Sequence, residues 1–203
     1  MNFNFIIFFF KLGAMLPTIF LTSIFPFISS ITISGNSIYI YASVKKFHVI
    51  LNFLKLSSLT SYKQLLDIYA LDKVYPQHKR FELHYMLLSQ KNLSRIILKY
   101  KVGLHKNIAK TNSSVKMYPS AGFLEREIWD FFGIFFSQHP DLRRLLTDYG
   151  FAGFPLRKDF PVTGFKEIRY DDEKGRIISE NVKYTQAYRQ YTFDAPWISK
   201  KKS

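Results

Sequence analysis

Several places in the chain carry residue types that can do chemistry. Glu125 and Glu127 offer two carboxylates, the usual equipment for acid–base work, but on a helix residues two apart point to different sides and cannot flank one bond. His139 stands near Asp141 and Ser137 without the arrangement of a nucleophilic triad, and it reads as a turn residue ahead of a helix. Tyr170-Asp171-Asp172-Glu173 is acidic enough for a cation, yet it lacks calcium-loop spacing, and the glycine at 175 makes it a turn between strands. His78 and His84 fall across a predicted loop and strand, with no metal-ligand spacing, and His48 reads as a helix-surface residue. No glycine-rich phosphate loop or dinucleotide fingerprint occurs. With no cysteine in 203 residues, a disulfide framework, a thiolate zinc or iron–sulfur site and a thiol nucleophile are all excluded. The residues by themselves describe a non-catalytic chain.

The bulk composition bounds what such a chain does instead. A hydrophobic content of 47% fits a globular protein, while 18% aromatic residues, led by 21 Phe and 13 Tyr, exceeds what a core needs and points to interfaces. The 29 basic residues outnumber 15 acidic ones, a formal charge of +14, and no Asp or Glu precedes Asp67. Such a balance suits nucleic acid, anionic lipid or acidic protein surfaces. The lysines are mostly scattered singly, which is weak support for nucleic acid.

The elements that would position these residues read as an α+β fold. It is a small two-layer α/β domain over 1–150, in the order α-β-β-α-β-β-β-α, followed by an extended, partner-docked arm over 151–203. The apolar start, 1–33, reads as a helix from about Phe3 to Phe10 or Leu16 packed on a sheet. Pro17, Pro26 and many hydroxyl residues argue against a membrane span over Leu12 to Ile33, and neither a signal peptide nor an Arg-rich import sequence is evident. Two alternating runs, Ser30 to Ser34 and Ser37 to Ser43, flank Gly35-Asn36 as a hairpin, with Ile31, Ile33, Ile38 and Ile40 inward. Phe47, Ile50, Leu51 and Leu54 form one helical stripe within Val44 to Leu56. Three further strands follow at Leu65 to Leu71, Phe81 to Ser89 and Arg95 to Val102, and Gly103 to Ser114 reads as a loop.

The densest stretch runs from Ser120 to Pro161. Ser120 is placed to cap a helix, with Glu125 and Glu127 favoured near its positive end, and Leu124, Ile128, Phe131, Phe132 and Phe135 make its apolar face, widened by Trp129 and Phe136. Gly133 weakens it. Pro140 and Asp141 open a second helix with Leu142, Leu145 and Leu146 inward and Gly150 as its stop, leaving Arg143 and Arg144 projecting. Charge set among aromatics is costly without partners, so Glu125, Arg126, Glu127 and Asp130 must pair or face a neighbour. Arg143→Ala or Asp130→Ala is therefore expected to harm assembly more than folding. Phe165 to Tyr170 and Arg176 to Val182 read as a hairpin, and the stretch ending at Trp197 is too poor in aliphatics to build its own core.

At Glu125-Arg126-Glu127-Ile128-Trp129-Asp130-Phe131-Phe132-Gly133-Ile134 the chain resembles the signature of the 30 kDa subunit family of respiratory complex I, in its mitochondrially encoded type. The resemblance runs on through His139-Pro140-Asp141-Leu142-Arg143-Arg144, Leu146 to Phe151, Pro155-Leu156-Arg157-Lys158-Asp159-Phe160-Pro161 and Tyr170-Asp171-Asp172 to Pro196-Trp197, covering roughly Tyr62 to Trp197. It implies a peripheral-arm subunit of NADH:ubiquinone oxidoreductase that binds no flavin (FMN), iron–sulfur cluster or ubiquinone itself, these being expected on partner subunits. The implied partners are chiefly the large 49 kDa-type quinone-module subunit and its cluster-bearing neighbours, on the matrix side of the mitochondrial inner membrane. No catalytic residue is carried over, only contact positions: Glu125, Arg126, Glu127, Trp129, Asp130, Arg143, Arg144, Arg157, Lys158, Asp159 and Trp197. An organellar RNA-binding or ribosomal protein is the competing expectation from charge, and a small membrane-anchored protein a weaker one.

Overall fold

The computed structural model describes residues 28–34, 37–73, 80–105, 108–184, 186–187, 189 and 191. It is an α+β structure that divides into two units, 1–160 and 161–203. The expected N-terminal helix, the Gly35-Asn36 turn, His78 and Trp197 lie outside the described residues.

In the first unit, β1 (Ile28–Ser34) and β2 (Ser37–Ala42) form the expected hairpin. A short 3-10 turn leads into helix α1 (Phe47–Leu56). Its buried residues are the four of the predicted stripe, Phe47, Ile50, Leu51 and Leu54. Strands β3 (Gln64–Asp72), β4 (Phe81–Ser89) and β5 (Ser94–Val102) follow as an antiparallel meander. They join the hairpin in the order β1-β2-β5-β4-β3, with β2 and β5 parallel. The parallel pair arises because α1 carries the chain across the sheet before β3 to β5 return towards β2. Phe47 sits at the centre of the core, its ring 4.7 Å from that of Tyr85 and 4.1 Å from that of Tyr100.

A second, smaller sheet contradicts the expected loop over Gly103 to Ser114. Strands β6 (Leu104–His105) and β7 (Ile108–Asn112) run there, and β7 pairs in parallel with β8 (Ile134–Ser137). Its buried residues, Ala109 and Thr111, are too small and polar for alternation to betray it, and its partner lies beyond the intervening helix. That helix, α2 (Ala121–Phe132), makes β7-α2-β8 a parallel crossover. Ser120 makes no side-chain cap bond, and α2 has no acidic residue in its first turn, so the expected capping role for Ser120 fails. Gly133 ends the helix in the left-handed region, φ 68°. Phe135 and Phe136 therefore belong to a strand, with Phe136 inward and Phe135 outward, instead of extending the helical face.

The second predicted helix, from Pro140, does not form; residues 141–150 are an irregular loop. Leu142 still packs against the core, but Leu145 and Leu146 are exposed. The unit boundary falls after Phe160 rather than after Gly150. Backbone contacts explain the shift, since the N–H of Leu156 donates to the Phe131 carbonyl at 3.2 Å and ties this stretch to α2. In the second unit, β9 (Lys166–Asp171) and β10 (Arg176–Asn181) form the expected antiparallel hairpin.

Ile128, 3% exposed, lies on the buried side of α2. Ile128→Ala is expected to lower the unfolding free energy by about 2–5 kcal/mol, measured by urea denaturation of the full chain. A loss within the error of the wild-type value would show that the site collapses around the smaller residue.

Candidate functional site

The buried stripe of α2 is Ala121, Glu125, Ile128 and Phe132, at helical spacing, with a carboxylate in the middle of it. Glu125 is fully buried and is satisfied by the loop that follows β7. Its Oε1 accepts the Ser114 N–H at 2.7 Å and the Ser114 hydroxyl at 2.6 Å, and its Oε2 accepts the Ser113 hydroxyl at 2.6 Å. His139 lies alongside, with Nε2 4.0 Å from Oε2. The Asp141 N–H donates to His139 Nδ1 at 3.1 Å, which leaves Nε2 to donate to the Gly122 carbonyl at 3.1 Å. His48 is half-buried rather than a surface residue, and its Nε2 donates to the Ser113 carbonyl at 3.2 Å. Burial lowers its pKa against several opposing contacts.

Asp130, also fully buried, organises the loop that replaces the expected second helix. Its Oδ2 accepts the N–H groups of Leu145, Leu146 and Thr147 at 3.3, 2.8 and 2.8 Å, while Oδ1 takes the Thr147 hydroxyl at 2.5 Å and Arg144 Nη1 at 3.2 Å. Backbone donors captured by a side chain from elsewhere are lost to a helical ladder, which explains why Pro140 to Gly150 stays irregular. Arg144 also donates to the Gly153 carbonyl at 2.7 Å and lies 5.1 Å from the Phe154 ring centroid. Burial would raise the Asp130 pKa, but the Thr147, Leu146 and Leu145 bonds outweigh it and hold the carboxyl below the usual range.

The end of α2 is closed by Arg157, whose Nε donates to the Phe132 carbonyl at 2.6 Å, where a cation suits the helix terminus. Its guanidinium stacks 4.4 Å from the Phe154 ring centroid, and burial lowers its pKa. Trp129 is half-buried, edge-on to Phe135 and Phe154. Beside them is an ion-pair group that sequence reasoning missed. Arg80 grips Asp72 through two bonds of 2.7 and 2.6 Å and reaches Asp159 at 2.9 Å, and the Lys158 N–H donates to Asp72 at 3.0 Å. The Asp72 pKa is lowered although burial opposes this, because the Arg80 and Lys158 bonds prevail. The one available signal was Asp72 at the end of a largely apolar strand, in which the other acid, Asp67, is exposed.

The eleven expected contact positions thus separate. Glu125 and Asp130 bond within this chain, so their charges are not available to a neighbour, and the expectation that Asp130→Ala would harm assembly more than folding gives way to one of a loss in the fold itself. Arg144 and Arg157 are largely committed inward. Arg126 donates to the Arg143 carbonyl at 3.2 Å and lies over the Phe123 ring, and Arg143 pairs with Asp141 at 2.9 Å in solvent. Glu127 is half-buried, and Lys158 and Asp159 are exposed. Exposed Phe123, Leu146 and Tyr149 share this surface loop and helix. Among the described residues no group of three or more His, Asp or Glu is placed to hold a metal ion. The arrangement suits a rigid contact surface: its carboxylates are locked in bonds, and they are not poised in a cavity as acids or bases.

The family model described as "Respiratory-chain NADH dehydrogenase, 30 Kd subunit" matches residues 40–166. The chain is 49% identical over 149 residues to NADH dehydrogenase [ubiquinone] iron-sulfur protein 3 of Patellifolia webbiana, covering 73% of this chain and 75% of the relative. It is 47% identical over 164 residues to NADH-ubiquinone oxidoreductase subunit 9 of Acanthamoeba castellanii, covering 80% of each. In fold it is similar to a chain in the structure of an archaeal membrane-bound sulfane sulfur reductase, with a TM-score of 0.61, 23% identity, and coverage of 74% of this chain and 86% of that one. These matches, over 40–166 and at nearly half identity, show that the chain belongs to the respiratory-chain NADH dehydrogenase 30 kDa subunit family.

Proposed function

We propose that the chain is a non-catalytic core subunit of the peripheral, matrix-side arm of mitochondrial NADH:ubiquinone oxidoreductase. It holds the quinone module together while NADH oxidation, ubiquinone reduction and the coupled proton translocation proceed on other subunits. Its partners are other subunits of that complex, chiefly the 49 kDa type, and FMN, iron–sulfur clusters and ubiquinone are carried by them. No nucleic acid is among the partners. The protein is peripheral to the inner membrane through the complex; among the described residues no helix is long and apolar enough to cross a membrane.

The observation that carries this reading is the β9–β10 hairpin. Its register puts Ile168, Tyr170 and Ile177 on one face, an apolar strip flanked by Lys166, Ser179 and Asn181, and Glu167, Arg169, Asp171, Arg176, Ile178 and Glu180 on the other. The apolar face is bare, with Ile168 55%, Tyr170 60% and Ile177 70% exposed. A lone two-stranded hairpin is marginal in water, so such a face needs a covering layer. The chain's own tail, with its aromatics and few aliphatics, resembles a second strip of contact surface.

The double variant Ile168→Asp/Ile177→Asp is expected to weaken incorporation about thirtyfold, the effect of losing roughly 2 kcal/mol at an interface hot spot. Native electrophoresis of the complex and NADH:ubiquinone activity in membranes read the result. Wild-type levels of intact complex in this variant would overturn the docking role of the hairpin.

A further inference from the structure

On the first unit, away from the signature, a groove of about 710 Å³ opens between the end of α1, the start of β3, the β4–β5 turn and the segment before α2. Its rim carries Lys55, Lys63 and Lys91, and its lining contains no Asp or Glu. Among the described residues none of these three lysines makes an ion pair. Lys55 donates to the Met117 carbonyl and lies 5.1 Å from the Tyr118 ring centroid, and Lys91 donates to the Ser58 carbonyl at 3.0 Å. Beneath the ammonium groups, Leu65, Leu88 and Met117 supply apolar surface. The rim is built by an unusual backbone: Ser61 takes φ 48°, which is costly for a residue with a Cβ, and turns Tyr62 inward to give its carbonyl to the Tyr118 hydroxyl at 2.6 Å.

From this geometry we infer that the groove is a docking site for an acidic segment of a neighbouring subunit, one in which Asp or Glu residues flank an apolar side chain. The occupant is argued from complementarity. Ammonium groups at the rim that have no carboxylate partner call for one, and an apolar floor inside a polar rim is the anatomy of a protein interface. A phosphate or lipid headgroup would meet the lysines and leave that floor wet, and the site lacks the arginine forks that favour phosphate. The inference rests on the chain being a subunit of a larger complex and adds where one neighbour sits.

The test uses the intact detergent-purified complex. Zero-length carbodiimide cross-linking followed by peptide mass spectrometry is expected to join Lys63 or Lys91 to Asp or Glu of one neighbouring subunit. Acetic anhydride should label both several-fold more slowly in the complex than after its dissociation. The variant Lys63→Glu/Lys91→Glu, at two exposed positions, should abolish the cross-link and reduce retention of that neighbour. Full labelling of both lysines in the intact complex would overturn the inference, and so would protection that disappears on phospholipase or ribonuclease treatment. If the chain itself were missing from the complex, the subunit assignment would fail instead.

Discussion

Replacing Asp130 by alanine is expected to lower the unfolding free energy by about 3–5 kcal/mol, the cost of removing one member of a buried charged network. The carboxylate is fully buried and gathers three backbone N–H groups, a hydroxyl and a guanidinium. Alanine leaves Arg144 without its anion and three N–H groups without an acceptor, each such group costing about 1–3 kcal/mol if it stays dry. Urea denaturation of the full chain reads the global loss, and limited proteolysis should show new cleavage within 144–153. Asp130→Asn, which keeps one acceptor oxygen, should lose less. The sign of the pH dependence follows from the depressed carboxyl pKa. The folded value lies below the ordinary 3.8, so the stabilisation is fully present above that value and is lost as pH falls through the folded one. The gap between wild type and Asp130→Ala should therefore narrow below about pH 4. A variant that unfolds at the wild-type urea concentration, with an unchanged proteolytic pattern, would return Asp130 to the role of an outward contact.

Gly133→Ala is the second large effect expected, at about 2–5 kcal/mol, from two separable causes. The residue sits at φ 68°, where a Cβ costs about 1–2 kcal/mol. An added Cβ would also lie 2.5 Å from Arg157 Nη2 and 2.6 Å from two Phe154 ring carbons. The guanidinium has some room to swing, but the Phe154 ring is held against Trp129 and under both Arg144 and Arg157. Relief therefore means moving the 154–157 segment and with it the cap that Arg157 places on the Phe132 carbonyl. Gly150→Ala is the control, since Gly150 has φ 71° and nothing within 4 Å of an added Cβ, and it should show only the backbone cost. Equal losses in the two variants, measured as unfolding midpoints at constant m-value, would remove the packing argument for Gly133.

The two effects share a cause in the way the signature stretch is built. Helix α2 turns Glu125 and Asp130 inward, and the loops on either side condense on them: Ser113 and Ser114 on Glu125, Arg144 to Thr147 on Asp130. Charge at these positions holds up a surface without forming it. What remains outward is Arg126, Arg143, Phe123, Leu146 and Tyr149, together with the bare face of the hairpin. Assembly defects from Asp130 would thus arrive through the fold, whereas those from Arg143 or Ile177 would arrive at the contact itself.

Periodicity is a local property, and wherever a local property decided the structure it was legible in the sequence. The stripe of α1, the alternation in β2 and the hairpin about Asp171 to Gly175 all follow from side-chain spacing within one element. The absence of cysteine and the order of motifs from Glu125 to Asp172 likewise identified a member of an NADH dehydrogenase subunit family without any coordinates. Partnership of charges is not local. Asp130 finds its donors 14 to 17 residues away, and Lys158 reaches Asp72 across 86. A carboxylate in a helical stripe looks like an interruption of the buried face until the loop that satisfies it is in place. Strand β7 looked like a loop because its pairing partner lies across α2, and 141–150 looked like a helix because the side chain that takes its N–H groups belongs to another element. The stretch from Ser120 to Pro161 was thus rightly marked by sequence as the place where charge needs partners. Only the tertiary structure could show that most of those partners are this chain's own loops, because burial decides between a paired and a solvated charge, and burial is a property of the assembled fold.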